Sequence, residues 1–452
     1  MEPIAKPRAP RIARASDDAA VTPGEETQRK IADFLVRVSE GRRLAARSPV
    51  AGRELDRSAL IASVRAHVAR EVPTDVIRFQ GELLAGLGLI PVDFDYEAGT
   101  YRLLESQIAG FYEYRDKTMY LASDLDEAAA VQTLAHELVH ALQDQHYDLG
   151  ARLSYEQEGN DRESASQALA EGDATSAMID FVAPGGHHAY EAPDELFKND
   201  IQASMTGAVL NDSPGILRES LLAPYVDGLL FVHALRRRSA AHGDPSGWTE
   251  VDRAWKSPPE TTEQLLHLDK YDSHEPAEKV PAIAAPSEGA WSVLYEDVFG
   301  EQGLRISAQQ WMPKPLAASV AEGWGGDRLA LFRRGGSVAH RGESGATPAA
   351  SVPESYAVAW HIRFDAGRSD PDFEARQAFK ALSDSLHAKR GGNANTFCVE
   401  RGALGPLAVA RVGRDIAVTA GPYERAGKSV KPSSVCPQTS RWAAEILRKS
   451  RP

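Results

Sequence analysis

The sequence predicts an α+β protein in two parts: a mainly helical domain with a small β-hairpin over residues 28–285, and a smaller α+β module over residues 286–452. Three observations point there. From about residue 25 to residue 256, apolar residues recur three and four apart in long runs, the period of amphipathic helices. A Pro- and charge-rich passage, residues 257–287, then weakens that pattern. Beyond it, short strand-like runs are interleaved with two helical ones, and 452 residues are two to three times an ordinary domain.

The elements follow in order. Residues 1–27, rich in Pro, Ala, Arg and Asp, read as a disordered leader without the apolar centre of a secretory signal. GEETQRKIADFLVRVSEGRRL and LDRSALIASVRAHVAREVPTDVIRFQGELLAGLG are helical. Gly110 to Ala122, GFYEYRDKTMYLA, alternates bulky and polar residues around Arg115-Asp116-Lys117, the pattern of a hairpin with a polar turn. A helix follows, with Asp124 and Glu127 as a capping box and Val131, Leu134, Leu138, Ala141 and Leu142 as its apolar stripe. A second is expected over residues 162–182, ended by Pro184-Gly185-Gly186, and others over LRESLLAPYVDGLLFVHALRRRSA and SGWTEVDRAW. In the module, DRLALFRR, SYAVAWHIRF, NTFCVE and LAVARVGRDIAVTAG read as strands, and DFEARQAFKALSDSLHAK and TSRWAAEILRK as helices. GGSVAHRGESGATPAAS reads as a flexible loop.

Composition excludes several classes. A formal charge of −13 argues against nucleic acid or an anionic membrane surface as the main partner, since both recruit basic patches. No run approaches the 18–20 apolar residues, roughly, that a transmembrane helix needs. Two cysteines, Cys398 and Cys436, lie outside any CxxC or Cys/His spacing. If they pair, the compartment is oxidising, periplasmic or secreted; as two buried thiols they fit the cytoplasm.

The chemistry is concentrated in AHELVHALQDQH, residues 135–146. Residues four apart on a helix lie about 40° apart around the axis and about 6 Å along it, so His136 and His140 can aim at one point. Glu137 lies on the neighbouring edge, within reach of a water on the metal. This is the HExxH arrangement, two zinc-binding histidines and a general base. A third ligand is required. His146 has the spacing of the long metzincin motif, but Gln143 stands where that motif needs Gly; on a continuing helix His146 projects about 80° from His136 and about 9 Å beyond His140. Glu171, on the next helix, is the preferred third ligand, with Gly172 beside it to let the two helices approach. Glu163 and Asp180 are lesser alternatives, and Asp173 and Asp144 are candidates to orient a ligand histidine.

HELVH followed by AEGDA resembles the gluzincin zinc metallopeptidases, which carry HExxH and a downstream glutamate, and residues 100–182 also resemble a group of bacterial and archaeal gluzincin-like proteins. The resemblance implies a zincin-like catalytic domain, Zn2+ held by His136, His140 and Glu171, Glu137 as catalytic base, and a peptide or protein substrate. The NExxSD form of the glutamate motif is absent. Zinc of this kind lowers the pKa of its water to about 7, and Glu137 would take the proton as the water attacks a peptide carbonyl. The hairpin edge would take an extended substrate by β-augmentation. Tyr225, His267 and Tyr271 are candidate donors to the developing oxyanion. Two alternatives stay open: a zinc-stabilised binding or structural protein without turnover, and a zinc hydrolase of a non-peptide amide. His187-His188 reads as an exposed loop pair, and GWGGDR as a turn into a strand rather than a phosphate loop.

Overall fold

The computed structural model describes residues 23–183, 186–204, 207–335, 354–387 and 394–449. The fold is α+β. Helix α1 (Pro23–Arg42) starts inside the stretch assigned to the leader, so only residues 1–22 of that leader lie outside the described residues; most of the loop after Gly335 lies outside them too. Next come β1 (Ala51–Leu55), α2 (Arg57–Glu71), α3 (Thr74–Leu87) and α4 (Tyr96–Gln107). The hairpin is β2 (Gly110–Glu113) with β3 (Thr118–Ala122), turning where Arg115-Asp116-Lys117 predicts. It is part of a three-stranded sheet ordered β1-β3-β2, because β1 adds to β3 in parallel. Sequence reading missed β1: AGREL is short, and none of its residues is buried.

Helix α5 (Glu127–Tyr147) is capped by Asp126, whose side chain accepts from the Ala129 N–H at 2.8 Å. The expected capping residue, Asp124, is instead paired with Arg57 at 2.9 Å. The stripe is as expected from Leu134 to Leu142, with Leu138 and Leu142 fully buried, each worth about 1.5–3 kcal/mol. A single turn, α6 (Leu149–Arg152), leads to α7 (Asn160–Val182). Then follow α8 (Asp194–Ser204), α9 (Ala208–Asp212), the 27-residue α10 (Gly215–Ala241), α11 (Thr249–Lys256), α12 (Thr262–Leu266) and α13 (Leu268–Ser273). One apolar core joins α1, the hairpin, α5, α7, the second half of α10 and α11.

The module begins with β4 (Ser292–Asp297), α14 (Gly300–Ala308) and α15 (Lys314–Ala321). It continues through β5 (Trp324–Arg334), β6 (Glu354–Phe364), α16 (Phe373–Ser385), β7 (Thr396–Glu400), β8 (Pro406–Val412), β9 (Asp415–Ala426), β10 (Ser429–Pro432) and α17 (Cys436–Lys449). The strands form an antiparallel sheet ordered β4-β5-β6-β9-β8-β7, with β10 on β9. Both faces are covered, which is why β5 and β6 read as near-continuous apolar runs. Leu329, Leu331, Val358 and Trp360 face a core shared with α3, α14, α15 and α16. Ala330, Ala357, Ala359 and Ala417 face α17, where small side chains let Trp442 and Ile446 seat closely. Packing crosses the expected boundary near residue 285, since Leu83, Leu84 and Leu87 of α3 belong to the sheet's core.

Cys398 on β7 and Cys436 at the start of α17 form a disulfide, Cα–Cα 5.8 Å. No helix of the described residues is long and apolar enough to cross a membrane.

Asp161 joins the two parts. Buried at the start of α7, it accepts from the Thr262 N–H at 3.0 Å and the Thr262 hydroxyl at 2.5 Å, beside Gly300 of α14. Burial raises its pKa from 3.8 to about 7, against the opposing pull of the Thr262 donors. A carboxyl whose folded pKa is raised favours folding while protonated, so this contribution is lost as pH climbs from about 4 to about 7. Asp161→Asn should therefore flatten the stability of the chain across that interval, on the order of a few kcal/mol by urea unfolding. Parallel pH profiles for wild type and variant would refute this.

Candidate metal centre

Helices α5 and α7 bring the three expected ligands together. His136 Nε2 lies 3.0 Å from Glu171 Oε2, His140 Nε2 lies 3.1 Å from His136 Nε2, and His140 Nε2 is 3.5 Å from Glu171 Oε2. One tetrahedral zinc ion with arms of about 2.0–2.1 Å spaces its ligand atoms about 3.3 Å apart. The separations and the donor set, two imidazoles and one carboxylate, fit that ion. Burial opposes a charge on His140, but Glu171, Glu137 and the hydrogen bonds to Glu171 and Gln143 outweigh it and raise the imidazole to about 9. Burial likewise opposes the Glu171 charge, yet His140 and His136 hold the carboxyl well below the usual range.

Glu137 lies beside the trio, its Oε2 accepting from the Tyr112 N–H at 2.9 Å. Strand β2 is the end strand of its sheet, and Tyr112 belongs to the set of residues whose N–H points away from β3. The open edge of β2 therefore faces the glutamate.

Of the three candidate oxyanion donors, Tyr225 is at the centre. Its ring centroid is 6.1 Å from that of His136, and the Glu171 carboxylate is the charge that acts most strongly on its hydroxyl. The Glu171 carboxylate, then burial and Glu137, push its hydroxyl well above the ordinary tyrosine value, so it stays a donor. His267 instead pairs with Glu301 at 2.9 Å, and Tyr271 donates to the Ser257 carbonyl.

Tyr225 arrives there through two glycines. A Cβ on Gly172 would sit 2.1 Å from the Gly228 carbonyl carbon, and one on Gly228 would sit 1.8 Å from the Ala168 oxygen. Helices α7 and α10 thus touch backbone to backbone, one residue after Glu171 and one turn after Tyr225. This corrects the expectation for Gly172, which permits the approach of α10, not of α5.

The partners of the ligands also differ from expectation. His140 Nδ1 is held by Gln143 Oε1 at 2.9 Å, while Gln143 Nε2 donates to the Ala170 carbonyl at 3.0 Å, so one amide orients the imidazole and ties α5 to α7. Sequence reading noticed Gln143 only as a missing glycine; its position three residues after His140, on the same helix face, was the available signal. Asp173 pairs with buried Arg42 at 2.5 Å and accepts from Trp255 Nε1 at 2.7 Å, anchoring α1 and α11 to α7. Asp144 accepts from the Tyr112 hydroxyl and Lys117, fastening the hairpin to α5. His146 meets the Ala45 carbonyl, Asp180 pairs with Arg236 and His188, and Glu163 is outside the trio. Removing an orienting partner of a metal ligand typically costs 10–100-fold in affinity. Gln143→Ala should weaken zinc binding by about that factor in competition with a chromophoric chelator; unchanged affinity would remove Gln143 from the site.

The profile of a family described as a domain of unknown function, DUF8575, matches residues 292–431, from the start of β4 into β10. No curated protein and no solved structure matches the chain.

Proposed function

We propose that the chain is a zinc-dependent hydrolase of peptide bonds on a zincin-like scaffold of gluzincin type, with His136, His140 and Glu171 holding the ion and Glu137 as general base. The observation that carries this reading is the meeting of three donor atoms, all within 4.8 Å of one another, from two helices beside a further glutamate. When bound, the ion supplies Lewis acidity and acidifies a coordinated water. Glu137, fixed by the Tyr112 N–H, takes a proton from the attacking water and returns it to the departing amine. Tyr225, kept protonated beside Glu171, donates to the oxygen on which negative charge develops. An extended peptide added along the open edge of β2 passes beside Glu137. The disulfide supports an extracytoplasmic location.

The test combines metal quantification with digestion of a peptide library. The purified chain should hold zinc, lose cleavage when stripped by a chelator, and regain it on reloading. Cleavage that survives complete stripping, or a reloaded chain that cuts nothing, overturns the reading.

A further inference from the structure

A cavity of about 290 Å³ opens next to this centre, between the first halves of α7 and α10. Asn160, Ser164 and Gln167 line it from α7, and one further turn along the same helical stripe is Glu171. Ser220 and Pro224 line it from α10, and Pro224 is the immediate neighbour of Tyr225. The two helices touch at Gly172 and Gly228 and leave the cavity ahead of that contact, so it begins about 6 Å along the helix from Glu171. The opposite wall comes from the module: Asp297 ends β4, and Gln302 and Ser307 lie on α14.

The lining has one sign of charge. Asp297 is its single charged side chain among the described residues, with no Lys, Arg or His beside it. The carboxylate is 4% exposed and held in place by the Tyr295 hydroxyl, the Val298 N–H and the Asn160 N–H. Two polar groups of the lining lack a partner or a helix donor. The Ser307 hydroxyl is fully buried and has no hydrogen-bond partner, and Pro224 has no N–H to offer the Ser220 carbonyl one turn earlier. Burial raises the Asp297 carboxyl to about 6, in keeping with a group that lacks a neighbouring cation.

We propose that this cavity receives a lysine or arginine side chain of the substrate, with Asp297 as the counter-charge and Ser307 as a hydrogen-bond partner. The inference rests on the peptide-hydrolase reading for the ligand being a peptide. It also gives the module a part in the site: the stretch matched as DUF8575 supplies the residues that select the substrate. Aspartate and glutamate side chains are repelled by Asp297, and a neutral side chain of equal length brings no counter-charge to it.

The test reads binding, so that it does not depend on turnover. Zinc-loaded Glu137→Gln protein is titrated with fluorescent alanine-rich peptides carrying one arginine, norleucine or glutamate, and anisotropy gives Kd. Arginine should bind at least tenfold more tightly than norleucine, and glutamate more weakly than either. Asp297→Asn should bring arginine to the norleucine level. Since Asp297 also braces β4, a second variant, Ser164→Phe, fills the cavity from α7 and should lower arginine binding to that of an all-alanine peptide. Equal binding of arginine and norleucine, an arginine preference that survives Asp297→Asn, or no binding of any peptide overturns the proposal. A wild-type protein that cuts nothing yet shows the arginine preference removes the hydrolase reading and keeps the pocket.

Discussion

Glu137→Gln should lower kcat by about 10³-fold to 10⁴-fold while zinc stays bound, the upper part of the range for losing a positioned general base. The amide is isosteric, and its oxygen can still accept from the Tyr112 N–H, now 2.9 Å from the carboxylate, so the geometry survives and only the proton acceptor is lost. Glu171→Ala gives the contrasting result: with one of three donors gone, zinc content should fall along with activity. Equal cleavage by wild type and Glu137→Gln in the same peptide digest would reject the mechanism, whatever the metal content. Loss of zinc in both variants would make Glu137 a ligand and Glu171 its equal.

Gly172→Ala should be among the most damaging single-methyl changes in the described residues. The new carbon would lie 2.1 Å from the carbonyl carbon and oxygen of Gly228, and both are backbone that no rotamer can move. Helices α7 and α10 must then separate. Overpacking of a tight core costs typically about 1–3 kcal/mol, and a backbone-to-backbone clash belongs at or above the top of that range. Separation also draws Tyr225 away from Glu171, so activity should drop further than the loss of folded protein explains. Gly228→Ala should behave alike, and the double variant should cost less than the two single changes added, because either one already forces the helices apart. Thermal melts and zinc titration of the three variants check this; a melting temperature within a degree or two of wild type for Gly172→Ala would show that the contact does not hold the helices.

The fold and the site were legible in the sequence to different depths. Period-3.6 and period-2 patterns are local, so α5, α7, α10, the hairpin and strands β5 to β9 of the module could be read from residues that sit next to one another. Strand β1 escaped because it is short and unburied, with only β3 to hold it. Strand β4, helices α14 and α15, and β10 escaped as well. Two of these are strands of four and six residues, too short for a clear alternation, and α15 has only eight residues. The HExxH spacing put two imidazoles and a glutamate on one helix face by geometry alone, and the downstream EGDA stretch supplied Glu171.

What sequence alone determined is therefore what depends on spacing along one helix: His136, Glu137 and His140 as a set, and an α+β chain with its apolar faces in place. Only the tertiary structure decided which of several acids and amides surround them. Asp144 follows Gln143 directly and Asp173 lies two residues after Glu171, yet Arg42, Trp255 and the hairpin claim the two acids and leave Gln143 to orient His140. Likewise Tyr225, not His267 or Tyr271, reaches Glu171, because two glycines far apart in the chain let α7 and α10 meet backbone to backbone. The physical reason is that hydrogen-bond partners and helix crossings are set by contacts between distant segments, which spacing along one segment does not encode.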